Sequence, residues 1–305
     1  MIQNLDELLG AAQTAGPLTA LVVWPGNDET FAAIRDARQR LPLRFMIAGD
    51  GAAIRAALGD APEIDILDCG DVESALTASV EALSRGQAQI LLKGGVDSAT
   101  LLKAVLRPET RVRTGRLLSD VFVFEYAASD AEKLVMITDG GLNIAPDLQA
   151  KVQLIRNAVE VAHALGNANP KVAVLAATEF VQADMPSTLD AAALTQMNER
   201  GQIRGCVVDG PLALDTALDR KAADEKRLRS AVAGAADILV CPSIECANAV
   251  AKCTTYVGRA RLAHVGAGAR IPILIPSRAD ASDAKLFSLA LGMIMSGAAA
   301  RNIGQ

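Results

Sequence analysis

Ser277 and Arg278 stand in the run IPILIPSRADASDAKLFS, Ile271 to Ser288, where a hydroxyl and a planar fork of guanidinium donors are adjacent in the chain. Ile271, Ile273, Leu274 and Ile275 form a short apolar run of buried-strand type that Pro276 breaks. Apolar residues then resume at helical spacing at Leu286, Leu289, Ala290 and Met293. A strand therefore ends where a helix begins. The free N–H groups of that helix's first turn, with Ser277 and Arg278 beside them, have the chemistry to hold an anion. The same residues also fit plain capping, with Asp280 or Ser282 as N-cap and Arg278 paired to Asp280 or Asp283, and the stretch alone leaves both open.

The elements that must position this turn are visible along the chain. Strand-like runs at Ala20 to Gly26, Arg44 to Asp50, Glu63 to Gly70 and Ala88 to Gly95 alternate with helical stretches at 29–40, from Ala52, at 72–84 and in SATLLKAVL. Such alternation predicts a parallel, doubly wound sheet. Val121 to Ala127 and Lys133 to Asp139 are close enough for an antiparallel hairpin. Alternation then returns, with helices predicted near 146–165, 188–198, 219–229 and 244–256, strands at 171–177, 205–211, 236–243 and 261–268, and a last helix at 284–300. The fold class is α/β, as two domains: 1–112 with 279–305, and 113–278.

In an open α/β sheet, ligands collect beyond the carboxyl ends of the strands. Lys93-Gly94-Gly95, Thr138-Asp139-Gly140-Gly141-Leu142-Asn143, Val208-Asp209-Gly210-Pro211, Pro242-Ser243-Ile244-Glu245 and Ser277-Arg278 all read as residues just past strands. Each also fits an ordinary turn or a surface position. Gly140-Gly141 suits either a positive φ or close backbone approach. No P-loop, GxSxG, HExxH or GxGxxG is present, which removes the commonest nucleotide-binding and hydrolase readings.

Composition narrows the classes further. With 51% hydrophobic but only 3% aromatic residues, the interior must be built from Ala, Val, Leu and Ile, as in a parallel sheet covered by helices. A net charge of −5 argues against a general nucleic-acid binder, so an anionic ligand must be caught by local clusters. Lys103, Arg107, Arg111, Arg113 and Arg116 form one such cluster or a solvated basic face. No apolar run approaches the ~20 residues that span a bilayer, and the start MIQNLDELLG lacks a basic leader, so a cytoplasmic location without membrane partners is expected. Cys69, Cys206, Cys241, Cys246 and Cys253 form no CxxC pair, and with only His163 and His264 a metal site lacks ligands. The expected state of the cysteines is buried reduced thiol.

These loops resemble the phosphate acetyltransferase and phosphate butyryltransferase family. The likeness runs through LLKGGVDSATLLKAVL (Leu91 to Leu106), RTGRLLSDVFVFE (Arg113 to Glu125), ITDGGLNIAPDLQAKVQLIRNAVEVAHALG (Ile137 to Gly166), PKVAVLAATE, DAAALTQM, RGQIRGCVVDGPLALD, ADILVCPSIECAN and PILIPSRADASDAKLFSLALG. The NIAPDL run and the SRAD form are closer to the butyryl branch. What the resemblance implies is reversible acyl transfer between coenzyme A, as substrate, and inorganic phosphate, at a cleft between two α/β domains of a homodimer, with no metal or prosthetic group. The implied architecture is that of the isocitrate and isopropylmalate dehydrogenases.

The family's Ser-Arg pair maps onto Ser277 and Arg278 and its RT arginine onto Arg113. Asp283 matches the first of the acetyl members' paired acids, while Ala284 replaces the second. The expected roles follow: Arg278 and the helix N-terminus hold phosphate, Ser277 donates to the oxyanion, Asp283 or Asp209 takes the thiol proton, and Arg113 grips a coenzyme phosphate. Lys93, Gly94, Thr138, Asp139 and Asn143 complete the expected substrate-binding set. Two other classes remain: a catalytically silent homologue that senses acyl-CoA or serves assembly, which Ala284 favours, and a metal-dependent dehydrogenase, for which the paired acids and ligand histidines are missing.

Overall fold

The computed structural model describes residues 1–127, 132–277 and 279–303. From the amino end the chain runs α1 (Leu5–Gln13), β1 (Leu18–Val23), α2 (Asp28–Arg40), β2 (Leu43–Gly49), α3 (Gly51–Leu58), β3 (Ile64–Asp68), α4 (Val72–Ser84), β4 (Ile90–Lys93) and α5 (Ser98–Val105). It continues through β5 (Ser119–Ala127), β6 (Glu132–Thr138), α6 (Leu148–Ala164), β7 (Lys171–Leu175), α7 (Pro186–Glu199), β8 (Val207–Leu212), α8 (Leu214–Leu218), α9 (Arg220–Glu225), β9 (Ile238–Val240) and α10 (Ile244–Tyr256). It closes with β10 (Leu262–Ala267), β11 (Ile273–Leu274) and α11 (Ser282–Ile303).

Two compact units result: Asp6–Arg116 with the chain from Ala263 on, and Met1–Leu5 with Leu117–Leu262. The sequence reading puts the first boundary after 112 and the second after 278. The observed return at Ala263 comes earlier because Ile273 and Leu274 pair, parallel, with Leu91 and Leu92 of β4.

In the unit built on Asp6–Arg116, the strands lie side by side as β3-β2-β1-β4-β11-β10, parallel except where β10 runs against β11. β4 is buried throughout and Ala20 to Val23 of β1 have no exposed surface, as expected of strands covered on both faces. In α2, Thr30, Ala33, Ile34 and Ala37 are buried at the spacing of one helical face, and the Asn27 side chain caps its start. α4 opens with a reciprocal capping box between Asp71 and Ser74. α11 packs against α2, β4 and β11 and is buried nearly all round from Ala284 to Met293. Each fully buried Leu, Ile or Phe there contributes about 1.5–3 kcal/mol.

The other unit has the order β5-β6-β9-β7-β8, with β5 and β6 antiparallel and the remaining pairs parallel. The expected hairpin strands are therefore present, paired from Val121↔Thr138 to Ala127↔Glu132.

Three expectations are revised. The amino-terminal stretch forms α1, not anticipated, because Leu5, Leu8, Leu9 and Ala12 bury one face. The single charged helix expected at 219–229 is replaced by α8 and α9, divided at Asp219, which ends the first and caps the second through Ala222 N–H. Of the cysteines, Cys253 is exposed and Cys246 half-buried, because α10 buries mainly the Ala247 and Ala251 side.

Candidate active site

In the unit built on Asp6–Arg116, chain order reverses between β1 and β4: β2 and β3 lie on one side of β1, and β4 lies on the other. At such a switch point the loops leaving the carboxyl ends diverge and leave room for a ligand. Here the loops after β1 and β4 touch instead. Gly94 N–H donates to Val23 O at 3.0 Å and Gly95 N–H to Trp24 O at 2.6 Å. The close approach requires glycine, since a Cβ on Gly94 would lie 2.0 Å from Trp24 O. Lys93, at the end of β4, is only 6% exposed.

β11 lies beside β4, with Leu274 opposite Leu92, so Pro276 and Ser277 leave the sheet at the same edge as Lys93 and Gly94. α2, α5 and α11 follow β1, β4 and β11 and begin at this edge, so the positive ends of three helix dipoles gather there. Arg278 lies outside the described residues. Ser277 is half-buried, with its Oγ accepting from Ala279 N–H at 3.4 Å and its own N–H donating to Asp280 Oδ2 at 2.8 Å. Asp283 is exposed in the first turn of α11 and accepts from Ala284 N–H at 2.7 Å. Lys93, Gly94, Ser277 and Asp283 are thus brought to one edge.

Arg113 is not. Thr114 Oγ1 donates to Gly268 O at 2.5 Å and Arg270 N–H to Val112 O at 2.8 Å, which fixes this segment beside the amino end of β11. Ser277 follows the other end. The adjacent Arg111 and Val112 line a cavity of about 480 Å³ with Arg85 and Arg270, and Arg113 itself is exposed.

In the unit containing Leu117–Leu262, Thr138 ends β6 with its hydroxyl donating to Asp120 O at 3.2 Å. Asp139 is 2% exposed, and its Oδ1 accepts from both Gly141 N–H and Leu142 N–H at 2.9 Å, while Oδ2 accepts from Asn143 Nδ2 at 2.5 Å. Burial first, and then the nearby Asp120 carboxylate, push the Asp139 carboxyl above its ordinary range. The turn at Gly140-Gly141 needs close approach and not positive φ, because a Cβ on Gly141 would lie 2.4 Å from Asp120 Oδ2. Thr138, Asp139 and Asn143 therefore come together as one loop, with Thr138 Oγ1 and Asn143 Nδ2 also donating outside it, to Asp120 O and Leu118 O.

Asp209 departs from the expected loop position. It lies inside β8, opposite Ala173, because the strand continues through Gly210 and Pro211 to Leu212. A proline is tolerated there since β8 is the last strand in its order, and the register shifts at this point. Asp209 Oδ1 accepts its neighbour Gly210 N–H at 2.8 Å.

Sequence reasoning passed over a buried polar group behind Ser277: Asp280 is 8% exposed, and His264 and Lys285 are 2% exposed. The signal was Lys285, the lone charged residue in the run from Ala284 to Met295. Among the described residues no group of three or more His, Cys, Asp or Glu side chains could hold a metal ion, and no helix is long and apolar enough to cross a membrane.

Comparison with known proteins gives concordant results. A family model described as Phosphate acetyl/butaryl transferase matches residues 70–293. A phosphate butyryltransferase from Clostridium acetobutylicum is 38% identical over 301 residues, covering 97% of this chain and 99% of that protein. A phosphate acetyltransferase from Thermotoga maritima is 41% identical over 293 residues, covering 95% and 99%. The crystal structure of a branched-chain phosphotransacylase from Enterococcus faecalis V583 superposes with a TM-score of 0.82 at 31% identity, covering 92% of this chain and 99% of that one.

Proposed function

Because the chain belongs to the phosphate acetyl/butaryl transferase family and is an acyltransferase, we propose that it moves an acyl group reversibly between coenzyme A and inorganic phosphate by direct attack in a ternary complex. The observation that carries this reading is the convergence of Lys93, Gly94, Ser277 and the start of α11 on one strand edge of one unit. None of the comparisons supports a catalytically silent sensing or assembly module.

In the direction of acyl phosphate synthesis, a phosphate oxygen attacks the thioester carbonyl, the C–S bond breaks, and the sulfur leaves as thiolate and takes up a proton. Lys93, the α11 amides and Arg278 supply positive charge for phosphate, and the Ser277 hydroxyl donates to the oxyanion. Arg278 takes this role from its place in the sequence.

In reverse, a thiol with pKa about 8.5 is only ~3% thiolate at pH 7, so it must lose a proton. An ordinary aspartate near 3.9 accepts that proton uphill by about 4.6 units, roughly 6 kcal/mol. Asp283 and Asp209 are the two candidate bases, and desolvation of the carboxylate with cationic stabilisation of the thiolate narrows the gap. Asp283 has the better support, since it shares the strand edge of Ser277. Arg113, exposed beside the other end of β11, is left for the coenzyme's distal phosphates. Thr138, Asp139 and Asn143 belong to the substrate-binding set through their loop. The reading includes a cytoplasmic homodimer without a prosthetic group and a butyryl or branched acyl chain.

The test is release of free thiol from acetyl-, butyryl- and longer acyl-CoA with and without phosphate. Release that requires phosphate is expected, with butyryl-CoA preferred to acetyl-CoA; one methylene is worth about 1–3 kcal/mol, or roughly 10–200-fold. Thiol release independent of phosphate overturns the reading. Full activity in Arg278→Ala removes that residue's role.

A further inference from the structure

Behind the Ser277 turn, three buried ionisable side chains from two elements and the turn itself meet at Asp280. Its Oδ2 accepts Ser277 N–H at 2.8 Å, while its own N–H donates to Ser277 O at 3.1 Å, so side chain and backbone close the turn from both sides. His264 Nε2, from β10, lies 3.6 Å from the same Oδ2. Lys285 Nζ, from α11, donates to Asp280 O. The frame is anchored in turn: His264 N–H donates to Ser288 Oγ at 3.0 Å, and that hydroxyl donates to Ala284 O at 2.7 Å.

Capping alone does not require this arrangement. A helix N-cap holds a carboxylate at the surface, where it accepts from N–H groups of its own helix. Asp280 is instead buried, reaches backward to the residue that ends the strand exit, and has an amine and an imidazole against it. Burial pulls the Lys285 amine below its ordinary range against the opposing pull of Asp280, Glu29 and Asp283. Three ionisable groups held out of water are costly to stability. That cost suits a turn whose shape must be fixed before an anion arrives.

We propose that Asp280, held by His264 and Lys285, is a positioning residue that sets the Ser277 turn in its phosphate-accepting shape. This rests on the reading of that turn as the phosphate site. Asp280 acts through Ser277 N–H and need not touch phosphate. It makes phosphate binding, and not acyl-CoA binding, the property that depends on it.

The experiment compares Asp280→Ala, Asp280→Asn and Lys285→Met with the wild-type chain, by KM for inorganic phosphate, KM for acyl-CoA and kcat, with melting temperature alongside. Asp280→Ala should raise the phosphate KM about tenfold or more, the loss expected when a charged hydrogen-bond acceptor is removed. Its acyl-CoA KM should stay within about twofold on the same basis. Asp280→Asn keeps an oxygen acceptor for Ser277 N–H and should recover most of the phosphate affinity. If Asp280→Ala does not fold, the Asn and Lys285→Met variants decide: a phosphate KM raised in Lys285→Met and near wild type in Asp280→Asn supports the proposal. An unchanged phosphate KM in every folded variant, or equal changes in both KM values, overturns it. A wild-type chain without phosphate-dependent thiol release overturns the functional reading itself, and the positioning role with it.

Discussion

Gly94 and Trp24 sit on adjacent loops at one sheet edge, so close that a Cβ on Gly94 would lie 2.0 Å from the Trp24 carbonyl oxygen and 2.7 Å from the Cα of Pro25. The obstruction is backbone, which cannot rotate away as a side chain can. Gly94→Ala should therefore destabilise the chain by about 3 kcal/mol or more, at the upper end of overpacking. A shift in the denaturant midpoint at constant slope checks this, and a midpoint within error of wild type contradicts it.

The role proposed for the Ser277 hydroxyl is separable from that of its backbone N–H. Ser277→Ala leaves the N–H bond to Asp280 intact and removes the Oγ, which accepts from Ala279 N–H and is the donor proposed for the oxyanion. A fall in kcat of about 10²–10³ with little change in phosphate KM is expected. A changed phosphate KM with kcat retained would place the hydroxyl on phosphate instead.

Asp283 and Asp209 are distinguished by substitution. The general base, replaced by Asn, should lower kcat by about 10²–10⁴, and the other residue should change it by less than about twofold. Asp283→Asn is expected to be the damaging change. Steady-state rates at saturating phosphate and acyl-CoA decide, and an unchanged rate in Asp283→Asn excludes it.

Lys285 gives a prediction of opposite sign for stability and activity. Its folded pKa is lowered, so the charged amine opposes folding at neutral pH, and the penalty fades only as pH rises through the folded value. Lys285→Met, similar in volume, should melt no lower than about 2 °C below the wild type. It should nevertheless bind phosphate more weakly. Thermal melts at pH 7 and pH 10 test the sign: the variant's relative advantage should shrink at the higher pH.

Cys246 should be the most readily alkylated thiol near neutrality. A hydrogen bond from Cys241 brings its pKa down to about 7, while the Cys241 thiol is pushed well up by that bond and by burial. Alkylation at Cys246, followed by peptide mass spectrometry, should rise through pH 7 and level off about one unit above. In Cys241→Ala the midpoint should move up toward about 8.5. An unchanged midpoint would show that the hydrogen bond is not the cause.

The pattern of elements was legible because it is written locally. α4 and α10 begin and end at the bounds read from the sequence, 72–84 and 244–256, and the structure adds that Asp71 and Ser243 cap their starts. The loops after β4, β6 and β11 were found by the rule that ligands collect at carboxyl ends, and family motifs pointed to acyl transfer. What sequence spacing could not supply was register and edge. Asp209 reads as a loop residue until β8 is seen to continue past Gly210 and Pro211 along an edge strand. Arg113 lies near Lys93 in sequence, yet its segment is fastened beside the amino end of β11 while Lys93 ends β4 at the other edge.

By itself the sequence determined the α/β class, the alternation, the acyltransferase family and the Ser277 turn, because periodicity, capping and motif order act over a few residues. Tertiary structure alone decided that Asp280, His264 and Lys285 share one buried site. They come from a turn, a strand and a helix, and only the pairing of β10 with β11 and the packing of α11 bring them together, with Lys285 hydrogen-bonded to Asp280 and the His264 imidazole 3.6 Å from its carboxylate.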